Sequence, residues 1–262
     1  MKVSIITPVY NCAEYVRETI MSVISQVGNF DLEYIIMDGG STDGTLEIIS
    51  GIVGDYQNKK LTHSQCLVRF ELYTEKDKGL YDAVSRGIEK STGEILGYLN
   101  ADDIYLPGAI EKITEAFNVS NCEWVKGITG FIDEKSRPLH KGRYHTYRRD
   151  WLQAGVYGTE LYFVEQDSVF WKRSLWHKIK SIPETFKLAG DLWLWSQFAQ
   201  WSELHTFNSR ISCFRKRKGQ LSEKLDAYHD EIKKMNLRQL SWLEKTQVFL
   251  AKIYFRIKES IF

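Results

Sequence analysis

Short β-branched runs alternate with helical periods through the first hundred residues, and this rhythm constrains the fold more than any other feature. Residues 3–9 (VSIITPV) are apolar on both faces, as in a strand buried inside a parallel sheet. The spacing of Val16, Ile20, Val23, Ile24 and Val27 predicts a helix over 14–27. Strands over 34–37, 70–74 and 94–99 then alternate with helices over 46–53, 80–89 and 109–117, the last preceded by Pro107. This order implies an α/β fold: a mostly parallel, doubly wound, Rossmann-like sheet with flanking helices. Such sheets take ligands at the carboxyl ends of their strands. Polar clusters fall there three times: at Tyr10-Asn11, from Asp38 to Thr45, and at Asn100-Ala101-Asp102-Asp103.

Beyond residue 120 the pattern loosens. It predicts strands over 124–132, 141–147, 162–171 and 205–214, helices over 174–180 and 191–201, and one or two long helices from 221. The expected organisation is one domain over 1–220, in halves 1–105 and 106–220, with an amphipathic helical tail over 221–262. A chain with 43% hydrophobic and 26% charged residues is not disordered. Its net charge of +1 argues against nucleic acid as a partner. The charge is uneven, however: residues 215–262 carry 12 Lys/Arg against 6 Asp/Glu, a local +6. Cys12, Cys66, Cys122 and Cys213 have no metal-ligand spacing and read as reduced, mostly buried thiols. With no signal-peptide h-region in MKVSIITPVYN, the expected location is cytoplasmic.

Asp102 and Asp103 form a close acidic pair past a buried strand. Adjacent carboxylates repel, and a divalent cation relieves the repulsion; an oxygen-only set favours Mg²⁺ or Mn²⁺. The competing reading is a pair of helix-capping acids ahead of Pro107. The turn from Asp38 to Thr45 is neither GxGxxG nor GxxxxGK[ST], so dinucleotide and P-loop readings lose support. Residues 41–45 fit a plain β-turn-α connection, whereas Asp38 stands at the very end of its strand.

Taken together, Thr7-Pro8-Val9-Tyr10-Asn11, Asp38-Gly39-Gly40-Ser41-Thr42-Asp43-Gly44-Thr45 and Asn100-Ala101-Asp102-Asp103 resemble the signature of family 2 glycosyltransferases. Further segments resemble bacterial surface-polysaccharide members, in order: Glu75 to Ala83, Gln166 to Trp171, Gly190 to Trp195 and Gly219 to Ser222. The resemblance spans about residues 3–222. It implies a GT-A fold, an inverting and metal-dependent reaction, and a nucleotide-sugar donor, UDP-linked. The first half would bind the nucleotide and the second the acceptor, a glycan or a lipid-linked sugar. Tyr10 would stack on the base, with Pro8 and Asn11 beside it, and Asp38 would accept from the base. Asp77 would contact the nucleotide or its sugar, Asn100 a ribose hydroxyl, and Asp102 with Asp103 the metal on the diphosphate. Asn100 departs from the family's usual Asp-x-Asp, which removes one charge from the cation site.

An inverting transfer also needs a base for the acceptor hydroxyl. Asp191, at the start of an aromatic helix, matches the family's late base position, with Glu165 as a second candidate. Trp193 and Trp195 flank Asp191, and their spacing lets only one face a sugar. The basic run 215–218 reads either as a solvated loop or as one closing over the diphosphate, with Gln220 and Ser222 adding hydrogen bonds. The tail stripe (Trp242, Phe249, Leu250, Ile253), interspersed with Lys245, Lys252, Arg256 and Lys258, suits peripheral contact with the inner membrane face or packing in a homodimer. Two alternatives stand beside the glycosyltransferase reading. A nucleotidyltransferase would place a Gly-rich, Arg-containing loop where Pro8 to Asn11 lie. A non-catalytic nucleotide-sugar scaffold is left open by Asn100 and opposed by Asp102 and Asp191.

Overall fold

The computed structural model describes residues 1–61, 64–119 and 121–261, with 258–261 as backbone alone. The first half runs β1 (Lys2–Val9), α1 (Val16–Ile24), β2 (Asp31–Asp38), α2 (Thr45–Gln57), β3 (Leu67–Thr74), α3 (Leu80–Lys90), β4 (Ile95–Tyr98), β5 (Ile104–Tyr105) and α4 (Ala109–Val119). Next come β6 (Trp124–Ile132), β7 (Pro138–His140), α5 (Arg149–Gln153), β8 (Val169–Lys172), α6 (Arg173–His177), α7 (Gly190–Trp201) and β9 (His205–Arg215). The tail holds α8 (Leu225–Lys233) and α9 (Trp242–Ile261).

Among the described residues these strands form one mixed sheet in the order β3-β2-β1-β4-β8-β6-β9-β5, with β7 paired on β6. The block β3-β2-β1-β4 is parallel, as the two-sided burial of β1, β2 and β4 favours. β8 pairs antiparallel to both β4 and β6, so the second half departs from a purely parallel sheet. Alternation along β1 sends Val3, Ile5 and Val9 to the layer under α1, α2 and α4. Ile6 faces the opposite layer, with α3, α7 and the indoles of Trp124 and Trp171. Each of these buried side chains is worth roughly 1.5–3 kcal/mol against exposure. The parallel block thereby brings the ends of β1, β2 and β4 to one rim.

Several expected boundaries move. The helix predicted over 14–27 ends at Ile24, and Val27 is exposed. There Gln26 turns its amide onto the carbonyls of Ser22 and Leu106 (2.9 and 3.0 Å) and ties the chain down. No strand forms over 141–147; the short pairing strand is Pro138–His140, and Lys141, Arg143 and Tyr144 face solvent. The strand predicted over 162–171 shrinks to Val169–Lys172. Ahead of it, Gln166–Ser168 form a 3-10 turn whose polar side chains are buried beside the end of β4. The tail is docked on the domain: Val248 lies in the core and Leu237 covers Gly155. All four cysteines are free thiols, Cys12 and Cys213 buried and the other two partly so.

Candidate active site

The turns after β1 and β2 clasp each other. Asn11 takes the left-handed conformation (φ 49°), which Asn tolerates better than most residues. Its N–H donates to Ser41 Oγ, and its Oδ1 accepts from the Thr42 N–H, both at 2.9 Å. Cys12 N–H donates to Thr45 Oγ1 (2.8 Å) and Ala13 N–H to Asp43 (3.1 Å). Residues 41–45 thus build a connection, while Tyr10 stands out from it, 65% exposed, with Pro8 buried behind. The Asp38 carboxylate is buried and turned onto its own loop, accepting from the N–H groups of Gly40 (3.1 Å) and Ser41 (3.3 Å). Asp77 lies against Gly39, where a Cβ would stand only 2.5 Å from its Oδ2, so glycine is required for that approach. Burial, with Asp82 and Asp38 nearby, pushes the Asp77 carboxyl up, and its Oδ1 accepts from the Gly79 N–H (2.8 Å).

Past β4 the acidic pair separates. Asp102 Oδ2 accepts from Arg217 Nε at 2.7 Å. Asp103 is buried, accepting from the Arg215 N–H (2.8 Å); burial and then Asp102 and Asp167 push its carboxyl well above the usual range. Asn100 donates to Asp103 (3.4 Å) and Gln166 (3.2 Å), yet its own buried Oδ1 has no partner. No cluster of three or more His, Cys, Asp or Glu side chains occurs among the described residues. A hard cation carrying a diphosphate needs only one or two protein oxygens, since phosphate and water supply the rest. Asp102 and the orphaned Asn100 oxygen fit that limited role.

Arg215 is wholly buried, which overturns a solvated reading for that residue. Its guanidinium donates to the Asp102 carbonyl (2.7 Å), the Asp133 carbonyl (3.1 Å), Ser136 (2.9 Å) and Glu18 (2.7 Å). It locks the acidic turn to β9, so that Arg217, two residues on, meets Asp102 beside the Tyr15 ring. Gln220 braces this loop by accepting from the Arg217 N–H (2.7 Å) and donating to Ser222 (2.6 Å).

Asp191 lies in the first turn of α7. A Cβ on Gly190 would sit 2.6 Å from the Tyr81 ring, so glycine lets that turn press against α3. The Asp191 carboxylate accepts from the Leu192 N–H (2.7 Å) and makes a long contact with the Tyr81 hydroxyl (3.4 Å), which donates better to the Leu188 carbonyl (2.9 Å). Burial pushes the carboxyl up to about 6. The buried Tyr98 hydroxyl is pushed well above its usual value by burial and then by Asp191, Asp167 and Asp103, so one ring on β4 feels all three carboxylates. Glu165 is paired with buried Lys126 (2.9 Å), whereas no cation pairs with Asp191 among the described residues. Trp195 stacks on Trp124 in the core, and Trp193 packs beside Phe186.

Sequence reasoning missed Glu231. Its carboxylate on α8 accepts from the N–H groups of Lys187 (2.8 Å), Leu188 and Ala189 (both 2.9 Å), the segment that delivers Asp191. Nothing in the local sequence marks it, because its partners lie more than forty residues away.

Residues 4–181 match the family model described as glycosyl transferase family 2, and the chain belongs to that family. It is 30% identical over 141 residues to the putative teichuronic acid biosynthesis glycosyltransferase TuaG of Bacillus subtilis, covering 53% of this chain and 51% of that protein. The matched stretch spans from 40% to 80% of three uncharacterised relatives. In fold it is similar to S. aureus TarS 1–349, solved in complex with UDP-GlcNAc, with a TM-score of 0.68 at 15% identity over 97% of this chain and 72% of that one. It is likewise similar to the mannosyltransferase PcManGT of Pyrobaculum calidifontis, in complex with GDP-Man and Mn²⁺, with a TM-score of 0.64 at 16% identity over 90% of this chain and 65% of that one.

Proposed function

We propose that the chain moves a sugar, with inversion, from a UDP-linked donor to a hydroxyl of a glycan or lipid-linked acceptor in surface-polysaccharide assembly. The observation that carries this reading is Asp191, whose carboxyl is raised to about 6 yet ionised at neutral pH. Such a group takes the acceptor's proton as the hydroxyl attacks the anomeric carbon. Single displacement opposite the leaving diphosphate inverts that carbon. The diphosphate gains charge as it departs, and Arg217 stands at Asp102 to meet it. A divalent cation held by Asp102 and Asn100 would supply further charge stabilisation when bound. Tyr10, Asn11, Asp38 and Asp77 are assigned to the nucleotide side, on the rim formed by β1, β2 and the turn after β3. The likeness to TarS, solved with UDP-GlcNAc, and to TuaG, a putative teichuronic acid biosynthesis glycosyltransferase, supports the donor and acceptor classes.

Screening nucleotide sugars by thermal shift, with Mn²⁺ or Mg²⁺ present, tests the donor. At 100 Kd the correct donor adds about 2.7 kcal/mol, which raises Tm by roughly 5–10 °C for a domain of this size. UDP-sugars should produce that shift. If only another nucleotide class does, the UDP assignment is wrong.

Glu231 acts through position. Glu231→Ala should cost about 2 kcal/mol, because three backbone N–H groups lose a charged acceptor. It should also lower kcat about ten-fold or more by letting Asp191 drift. The Glu231 charge helps raise the Asp191 carboxyl, so the acidic limb of the pH–rate profile should move to lower pH. Glu231→Asp should recover part of both effects. An unchanged profile at wild-type kcat would reduce Glu231 to a structural cap.

A further inference from the structure

Helix α9 turns two unlike faces to its surroundings. Val248 and Ala251 point into the core, and the Phe255 ring packs on Tyr162 at 4.9 Å. Trp242, Leu243, Phe249, Leu250, Ile253 and Tyr254 point outward, with exposures from 41% for Ile253 to 80% for Trp242. At 100° per residue these six fall on one half of the helix surface. Exposed Lys245 and Arg256 share one edge of that half, and Lys252 on the same edge pairs with Glu160 at 2.5 Å. No helix among the described residues is long and apolar enough to cross a membrane. This division is the pattern of helices that lie in a membrane interface with their aromatic rings at headgroup depth.

We propose that the outward face of α9 seats the protein on an anionic lipid surface. Charge decides between lipid and a second copy of the chain. An antiparallel pairing of two such helices about residue 250 would set Lys245 of one copy beside Arg256 of the other, and like charges oppose that contact. Anionic headgroups instead complement the basic edge that exposed Lys245 and Arg256 form. The preceding helix α8 carries Glu231, which holds the segment leading to Asp191, so the lipid-facing helix adjoins the acceptor half. This inference does not depend on which sugar is moved.

Flotation with vesicles of phosphatidylglycerol and phosphatidylethanolamine, against phosphatidylcholine alone, reads the contact directly. The full chain should float with the anionic vesicles and partly release as salt rises. Lys245→Gln and Arg256→Gln should each weaken partitioning about five-fold. The triple change Phe249→Ser, Leu250→Ser and Ile253→Ser should abolish flotation while Tm and donor binding stay as in the parent, because these side chains are exposed. Equal binding to phosphatidylcholine would overturn the charge argument. A chain that ignores both vesicle types, and sediments as a dimer split by the triple change, would overturn the proposal and make this face a self-association surface.

Discussion

The Asp191→Asn protein should bind donor as the parent does and turn it over about 10²–10⁴-fold more slowly, the usual cost of losing a general base. Asparagine keeps the size and the Leu192 N–H bond but cannot take a proton. In the parent, kcat/KM should rise with pH and level off above about 6, where the carboxyl is ionised. The variant should lose that limb. Stability should change in the opposite sense. Burial raises the native carboxyl above its unfolded value near 4, so the native state holds the proton more tightly. Its favourable contribution is full below about pH 4 and is lost as pH rises through about 6. At neutral pH the parent therefore carries an ionised carboxylate in a poorly solvated place, and Asp191→Asn should be more stable by about 1–2 kcal/mol, a figure reduced for the partial exposure of the residue. Slower turnover with a higher Tm is the combination a strained functional group produces. Collapse of donor binding with normal turnover of bound donor would instead make Asp191 a donor ligand.

The first half of the fold was legible because β1, β2 and β4 are buried on both faces. Ile5, Ile6, Ile35 and Ile36 leave the chain no polar side to present, and a parallel sheet is what buries such runs. Strand ends then become polar by necessity, and Tyr10, Asp38 and Asn100 to Asp103 announced the rim. What the sequence could not show is how these groups are occupied. Asp38 reads as a free acid at a strand end, but it is bonded to its own turn. Asp102 and Asp103 read as a pair, but one faces Arg217 and the other is buried on the Arg215 backbone. The strand reading held over 169–171 but failed over 162–168, where Gln166 Nε2 reaches the Tyr98 carbonyl at 2.5 Å and a 3-10 turn precedes the strand. A side chain bonding a distant carbonyl leaves no periodic trace. For the same reason the contact between α8 and the residues before Asp191 was invisible, although it fixes where Asp191 stands.

Asp102→Asn should remove the cation-dependent thermal shift produced by UDP with Mn²⁺, and should lower turnover by about 10²–10³-fold, the range for losing one preorganised charge stabiliser. Asparagine preserves volume, and the Asp102 carbonyl keeps its bond from Arg215, so the turn itself should hold. The partly buried pair with Arg217 is lost, which should cost only about 1 kcal/mol because both side chains retain some exposure (16% and 29%). The same ion pair makes a second, opposite forecast. Arg217 and a cation compete for one carboxylate, so Arg217→Gln should lower the Mn²⁺ concentration needed for half the thermal shift. Turnover should nonetheless fall, because the guanidinium that would meet the departing diphosphate is gone. Asp102→Asn and Arg217→Gln therefore separate by the sign of their effect on cation affinity while agreeing on kcat. If both variants bind Mn²⁺ with UDP as the parent does, Asp102 is a structural partner of Arg217, and the cation is held by other groups.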